Sequence, residues 1–314
     1  MKKFDIIVTG DCNIDLLFNG FDHLPAFGEE VLAEQFNITL GSSAGITAAH
    51  LAALGMKVAY IGAIGEDTFG KQFKELMNAA GVNTDYMVDK AGFSTGCTAV
   101  LSKGEERANI THAGAMEQLC PADIPAQLLE ATPFFHLSNP YVLPHFRNVL
   151  PTFYKSLKKH PIHTSLDPQW DVEEKWNTDL NELLPYVDVF LPNKTELQLL
   201  LKGNKLQTED VQKFPNTIVC THGNQGVAIT ENGLTKQMNS YINEQPQDCI
   251  GAGDAFTAGF LSAKIDGQDN TNAVEMGCRS GALSTTFTGG SVAYHSRAHF
   301  EQLFANANIK KIKH

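Results

Sequence analysis

Short runs of apolar, β-branched residues recur along this chain, with amphipathic stretches between them. Phe4 to Thr9, Val58 to Ile61, Phe134 to Leu137, Thr164 to Leu166, Val187 to Leu191 and Thr217 to Cys220 predict strands. Ala44 to Leu54, Thr68 to Ala80 and Thr195 to Leu201 predict helices, followed by Gly55, Gly81 and Gly203 as expected left-handed caps. This alternation predicts an α/β fold with a doubly wound, mostly parallel sheet flanked by helices.

Two segments break the alternation. Asp11 to Leu40 and Ser94 to Ala113 look like strands and turns, the second holding Thr98 to Ser102, a turn at Lys103-Gly104-Glu105, and Arg107 to Thr111. Strands of this kind could form a small sheet over the open edge of the larger one and serve as a lid. Without repeats, low-complexity tracts or a Pro-rich linker, residues 1–314 are expected to form a single domain with that lid. Unprotected lid strands could also pair with a second copy, so a homodimer is an expectation.

Charge narrows the partners. Thirty-five acidic against 24 basic side chains give a net charge of −11, and Lys310, Lys311 and Lys313 form the one short basic stretch. That field disfavours a nucleic-acid partner but not a small phosphorylated ligand, which backbone amides and a bound cation can hold. No apolar run approaches the roughly 18 to 20 residues that span a bilayer, so no membrane partner is expected. Asp5 and Asp11 break the first apolar stretch, which is too short for a signal peptide. The six cysteines (Cys12, Cys97, Cys120, Cys220, Cys249, Cys278) include no close pair, which fits buried thiols in a reducing, cytoplasmic setting better than a disulfide frame or a zinc site.

The most informative stretch is Asp248 to Leu261, DCIGAGDAFTAGFL. Gly251-Ala252-Gly253 permits a tight turn into a helix, whose first amides and dipole make an anion site. Asp254 lies in the first turn beside it, a useful place for an acid that takes a proton as charge moves to a transferring group. Taken alone, Gly-Ala-Gly could serve only close helix packing, and Asp254 only as a cap. The whole stretch, however, resembles the C-terminal signature of the PfkB, or ribokinase-like, family of carbohydrate kinases, usually D-T-x-G-A-G-D-x-F-x-A-G-F.

Other segments follow in the family's order over nearly the whole chain. Gly10 to Asp15 is similar to the family's first strand and turn, which implies acceptor binding by Asp11, Asn13 and Asp15. Gly41 to Gly55 resembles the N-terminal signature and adds Gly41 and Ser42 to that site, with two departures. Ser42 replaces a usual glycine, and Ile46 replaces an asparagine that contacts the sugar, which removes one polar contact. Asn193 and Glu196 resemble the N-x-x-E motif, implying Mg²⁺ held largely through water, although the same spacing is that of a capping box. Thr221, Gly223 and Gly226 resemble the turn against the nucleotide phosphates. The helix expected over Gly277 to Phe287 brings Cys278 to the base pocket, where Asn is common. Asp248 and Gly289-Gly290-Ser291 resemble loops that bind a monovalent cation such as K⁺ in many members. Asp167 could line the phosphate region or cap the turn at Pro168, while Trp170 and Trp176 are read as packing residues and the histidines as structural or exposed.

The resemblance implies an ATP-dependent kinase that phosphorylates a hydroxymethyl group of a sugar or sugar-like molecule. Asp254 is the expected base, with the amides of Gly251, Ala252 and Gly253 steadying the phosphoryl charge. A nucleoside kinase of the same fold is an alternative, favoured by Ile46. A dinucleotide-binding oxidoreductase is another, although Gly10-Asp11-Cys12-Asn13 lacks G-x-G-x-x-G. A relative that binds ligand without catalysis is the third, and the retained Asp254 argues against it.

Overall fold

The first strand, β1 (Ile6–Thr9), is buried along its whole length. Ile6 and Val8 enter one apolar core and Ile7 a second, as the two-residue alternation of a strand requires. Apolar packing on both faces is what an unbroken apolar run demands. The computed structural model describes residues 3–103, 106–290 and 292–312. Of the expected features, the tip of the turn at Gly104 and Glu105, Ser291 and Lys313 lie outside the described residues.

After β1 come β2 (Asn13–Asn19), β3 (Gln35–Leu40), α1 (Ser43–Ala53), β4 (Val58–Ile61), β5 (Ala63–Ile64), α2 (Thr68–Ala79), β6 (Val88–Asp89), β7 (Gly96–Lys103) and β8 (Glu106–His112). The middle of the chain forms α3 (Ala126–Ala131), β9 (Phe134–Ser138), α4 (Pro144–Arg147), α5 (Leu150–Leu157), β10 (His163–Asp167), α6 (Leu180–Leu183), β11 (Val189–Phe190) and α7 (Lys194–Gly203). The last third holds β12 (Thr217–Thr221), β13 (Val227–Glu231), β14 (Leu234–Met238), β15 (Tyr241–Asn243), α8 (Ala252–Ile265), α9 (Asn270–Ser284), α10 (Arg297–Asn306) and β16 (Ile309–Lys311).

Eight strands form the central sheet in the order β14-β13-β12-β11-β10-β9-β1-β4. Pairing is parallel from β12 to β4 and antiparallel in the β12-β13-β14 meander, so the mostly parallel α/β sheet matches expectation. A separate four-stranded sheet, ordered β3-β2-β7-β8, comes from the two segments that broke the alternation. Only Gly10, Asp11 and Cys12 separate β1 from β2, so the small sheet begins at the carboxyl end of the central one. That edge is where parallel α/β sheets bind ligands.

Most expected boundaries fall within two or three residues of the elements found, and three need correction. Gly55 and Gly81 take positive φ just past α1 and α2, but Gly203 stays helical and Lys205 adopts the left-handed turn instead. Gly203 is needed for a different reason: a Cβ there would lie 2.0 Å from the Trp176 carbonyl oxygen. The helix expected over Gly277 to Phe287 is the second half of α9, which ends at Ser284. The strand expected over Val187 to Leu191 is paired only at Val189 and Phe190. All six cysteines are free thiols, but only Cys12, Cys220 and Cys278 are buried, with Cys97 and Cys120 half-buried and Cys249 exposed. No helix among the described residues is long and apolar enough to cross a membrane.

Candidate active site

The carboxyl ends of five parallel strands deliver the site. Asp11 follows β1, Asn139 follows β9, Asp167 ends β10, Asn193 follows β11 and Thr221 ends β12. Two cavities lie on either side of the start of α8. The first, of about 350 Å³, is lined by Asn193, Thr221, Gly223, Gly226, Ala252, Gly253 and Cys278. The second, of about 360 Å³, is lined by Asp11, Asn13, Asp15, Ser42, Gly251 and Asp254. Residues expected to serve two different ligands are therefore sorted into two chambers. Gly41 lines neither, but a Cβ there would lie 2.3 Å from both Asn13 Nδ2 and Asp15 Oδ1. Glu196 is buried behind Asn193.

Backbone geometry sets the α8 start. Gly251 has φ 74°, and a Cβ on it would meet Gly290 Cα at 2.9 Å and Ile46 Cγ2 at 3.1 Å, so only glycine fits without a shift. Asp248 ties the loop down, accepting from the Ile250 amide at 2.9 Å and the Gly289 amide at 2.8 Å. No side chain caps α8, so its first-turn amides and the positive end of its dipole are available to an anion. One expected donor is spoken for: the Ala252 amide makes a 3.3 Å turn bond to the Cys249 carbonyl. On Gly253 a Cβ would meet nothing within 4 Å, which leaves an open approach to the backbone there.

Asp254 is buried at the junction of the chambers. Burial raises its carboxyl to about 7, with the acids Asp11, Glu196 and Asp15 pushing the same way and a hydrogen bond from Ser43 opposing them. Ser43 Oγ donates to Oδ1, and Gln169 Nε2 donates to the same oxygen at 3.2 Å.

The acids at the start of the chain divide their work. Asp11 Oδ1 accepts from the Ala44 amide at 3.1 Å and from Ser42 Oγ at 3.2 Å. Its Oδ2 accepts from the Ser43 amide and from Asn139 Nδ2, each at 3.1 Å. The Ala44 and Ser43 amides and Asn139 Nδ2 thus bind both oxygens of Asp11, which anchors the start of α1, while the Ser42 hydroxyl, with its single proton, lies nearer the Asp11 carbonyl oxygen, at 2.5 Å. Asn13 Nδ2 donates to Asp15 Oδ1 at 2.8 Å and to Thr98 Oγ1 at 3.1 Å, so it orients Asp15 within the chamber. Ser42, at φ 70°, caps α1 by accepting from the Gly45 amide at 2.7 Å, in the backbone region where glycine is the usual residue. Ile46 is buried, lines the acid chamber and packs against the Gly251 and Gly290 backbones.

Asn193 and Glu196 form the reciprocal capping box of α7. The Glu196 amide donates to Asn193 Oδ1 at 2.9 Å and the Asn193 amide to Glu196 Oε2 at 2.8 Å. Burial raises Glu196 to about 7. Asp167 is also pushed well up, by burial and then by the charges of Glu196 and Asp254. It accepts from the Gln169 amide at 3.2 Å and Thr257 Oγ1 at 3.3 Å, so it both holds the turn at Pro168 and faces the other acids. Among the described residues no three His, Cys, Asp or Glu converge on one point. The buried carboxylates of Glu196 and Asp167 and the Asn193 side-chain amide oxygen offer hard oxygen donors, which fit a divalent cation held through its own water.

Four neighbours of the acid chamber carried no sequence signal of their own. Ser43 follows the cap of α1, Asn139 takes the left-handed turn after β9 at φ 57°, and Gln169 does the same after β10 at φ 55°. Trp170, expected only to pack, lines the chamber and is 46% exposed, whereas Trp176 is buried against it. A single positive-φ polar residue at a strand end is not separable from an ordinary turn residue in sequence.

Comparison with known proteins identifies the family. The chain is 26% identical over 301 residues to the ribokinase of Bacillus subtilis (strain 168), covering 96% of this chain and 99% of that one. It is 29% identical over 246 residues to the adenosine kinase of Dictyostelium discoideum, covering 70% of each. The structure of Burkholderia thailandensis nucleoside kinase in complex with inosine superposes with a TM-score of 0.81 at 18% identity, covering 96% of this chain and 98% of that one. Residues 3–297 match the family described as pfkB family carbohydrate kinase, and the chain belongs to that family of ATP-dependent carbohydrate and nucleoside kinases.

Proposed function

We propose that the chain transfers the γ-phosphoryl group of ATP to a primary hydroxyl of a sugar or sugar-like acceptor. The carrying observation is Asp254, which lines the acid chamber while Gly253, its neighbour on α8, lines the uncharged one. Asp254 takes the proton of the acceptor hydroxyl, the oxygen forms its bond to the γ-phosphorus, and the bond to the ADP oxygen breaks. The uncapped amides at the start of α8 face the charge on the transferring group. Asp15, steadied by Asn13, orients the acceptor, and Asp11 holds the α1 start beneath it. Thr221, Gly223 and Gly226 approach the nucleotide phosphates, and Cys278 lines the base end of the same chamber. Asn193 and Glu196 would hold Mg²⁺ through water. When bound, the ion supplies charge neutralisation on the phosphates. A carboxyl near 7 is well matched to a base working at neutral pH.

A nucleoside is the second reading. Ile46, Val172 and Trp170 give the acid chamber an apolar wall, and Thr111, Val142 and Val172 are shared with an adjoining cavity of about 650 Å³. That space suits a ring substituent on the sugar. ADP release from a panel of pentoses, hexoses, sugar acids and nucleosides tests both readings; turnover of none of them counts against the phosphoryl-transfer reading itself.

The small sheet fits the role of a lid and of a contact between two copies. Asp15, Thr98 and Thr111 line the acid chamber from one face. Phe36, Ile38 and Ile110, paired opposite Phe18, Leu16 and Ala99, fall on the other and are 52%, 38% and 73% exposed. A mass by light scattering equal to one chain at micromolar concentration would remove the dimer.

A further inference from the structure

We propose that Ser43 and Gln169 are positioning residues that together fix the carboxyl plane of Asp254 and leave Oδ2 as the oxygen that receives the acceptor proton. The inference rests on Asp254 being the base. Both side chains donate to the same oxygen, Oδ1: Ser43 from α1 and Gln169 from the turn after β10. An aspartate carboxyl rotates over a broad torsional well, so one donor would leave its two oxygens free to exchange. Two donors converging on one oxygen define which of them faces the acceptor.

Each donor is itself held. The Ser43 amide donates to Asp11 Oδ2 at 3.1 Å, and its hydroxyl lies 2.9 Å from Ser138 Oγ. One turn later on α1, Thr47 Oγ1 donates to the Asp254 carbonyl at 3.3 Å, so the helix grips both backbone and side chain of that residue. Gln169 sits at φ 55°, a conformation that a non-glycine residue keeps only where its surroundings enforce it. Its amide is bound by Asp167 Oδ1, while Thr257 on α8 donates to Asp167 Oδ2. The β10 turn and α8 are therefore locked in register, and the left-handed turn carries the Gln169 amide to Asp254.

Among the described residues, four acids press on Asp254: Asp11 after β1, Asp15 on β2, Asp167 at the end of β10 and Glu196 on α7. Each disfavours the carboxylate, and hydrogen bonds to Oδ1 favour it. Loss of a donor must then move the ionisation of Asp254 upward. A change in mere packing would not.

The experiment uses the full chain with ATP and the best acceptor of the sugar and nucleoside panel. Ser43→Ala is expected to lower kcat about tenfold or more and to move the acid limb of kcat/KM up by about one to two pH units. ATP affinity by calorimetry is expected to stay within twofold, and Ser43→Thr, which keeps the hydroxyl, to restore both rate and profile. Gln169→Ala is expected to repeat the pattern with a smaller shift. If Ser43→Ala does not fold, Gln169→Ala and the carboxyl resonance of Asp254 in it carry the decision. An unmoved acid limb in a folded donor variant overturns the inference. Asp254→Asn separates the two ideas: if it is active the base reading fails, and if it is inactive while Ser43→Ala keeps the wild-type profile, only the positioning role fails.

Discussion

The two chambers beside α8 are built on opposite principles. Among the described residues the chamber proposed for nucleotide has no charged side chain on its walls and is shaped largely by glycines, small residues and backbone. Its neighbour carries Asp11, Asp15 and Asp254, with neither Lys nor Arg. A polyphosphate suits the first, because helix amides and a cation can meet its charge without side-chain cations. A neutral polyhydroxyl acceptor suits the second, because carboxylates accept hydrogen bonds from hydroxyls. The α8 start is where the contrast matters: the acid and the anion site are one residue apart, yet they open into different spaces.

The most severe way to break this division is Asp254→Asn. Turnover is expected to fall by about 10²- to 10⁴-fold, with ATP affinity by calorimetry unchanged, since the nucleotide chamber does not depend on that charge. Near-normal turnover would dissolve the functional contrast.

The acids also set a pH response that the uncharged chamber cannot share. Asp254 and Glu196 are each raised to about 7 by burial, above unfolded values of 3.8 and 4.5, so the native chain holds the extra protons between those limits. Their contribution to stability is full below about pH 4 and is lost as pH rises through about 7, on the order of a few kcal/mol. Urea unfolding of the ligand-free protein at pH 5 and pH 8 should show the loss, and Asp254→Asn should reduce it. Equal midpoints at the two pH values would contradict the assigned burial of these acids.

Gly251→Ala probes the wall between the chambers. With φ 74° and Gly290 Cα at 2.9 Å from the added Cβ, the change should destabilise the fold by about 1–3 kcal/mol and weaken both ligands together, read by calorimetry and melting. An effect on one ligand alone would show that the wall is not shared. The mildest expectation is for Glu196→Gln, which keeps the capping box of α7. It should raise the Mg²⁺ concentration for half-maximal rate about tenfold with little change in melting temperature. An unchanged Mg²⁺ requirement would leave Glu196 a cap and nothing more.

The nucleotide half was largely legible in sequence because its parts are contiguous. DCIGAGDAFTAGFL places turn, helix start and acid within one stretch, and Thr221, Gly223 and Gly226 follow one strand. The acceptor half was legible only in part. Asn13 and Asp15 sit in one recognisable stretch just after the first strand, but Ser43 and Gln169 reach Asp254 from 211 and 85 residues away, and Asn139 reaches Asp11 from 128 residues away. Asp11 shows a different limit: its residue type suited hydroxyl binding, and only the fold shows that its carboxylate also ties the start of α1 to Asn139 while lining the acid chamber.

Apolar runs and their spacing by themselves determined the parallel sheet, the helices around it and the strands that depart from it, because burial on both faces needs a local pattern. Motif chemistry within single stretches determined the glycine turn into α8, the acid beside it and the family. Tertiary structure alone decided which oxygen of Asp254 is held, that Asp11 binds the start of α1 and Asn139, and that Trp170 lines the acid chamber while Trp176 is buried. Those outcomes depend on hydrogen-bond geometry and burial among residues far apart in the chain, which no local pattern encodes.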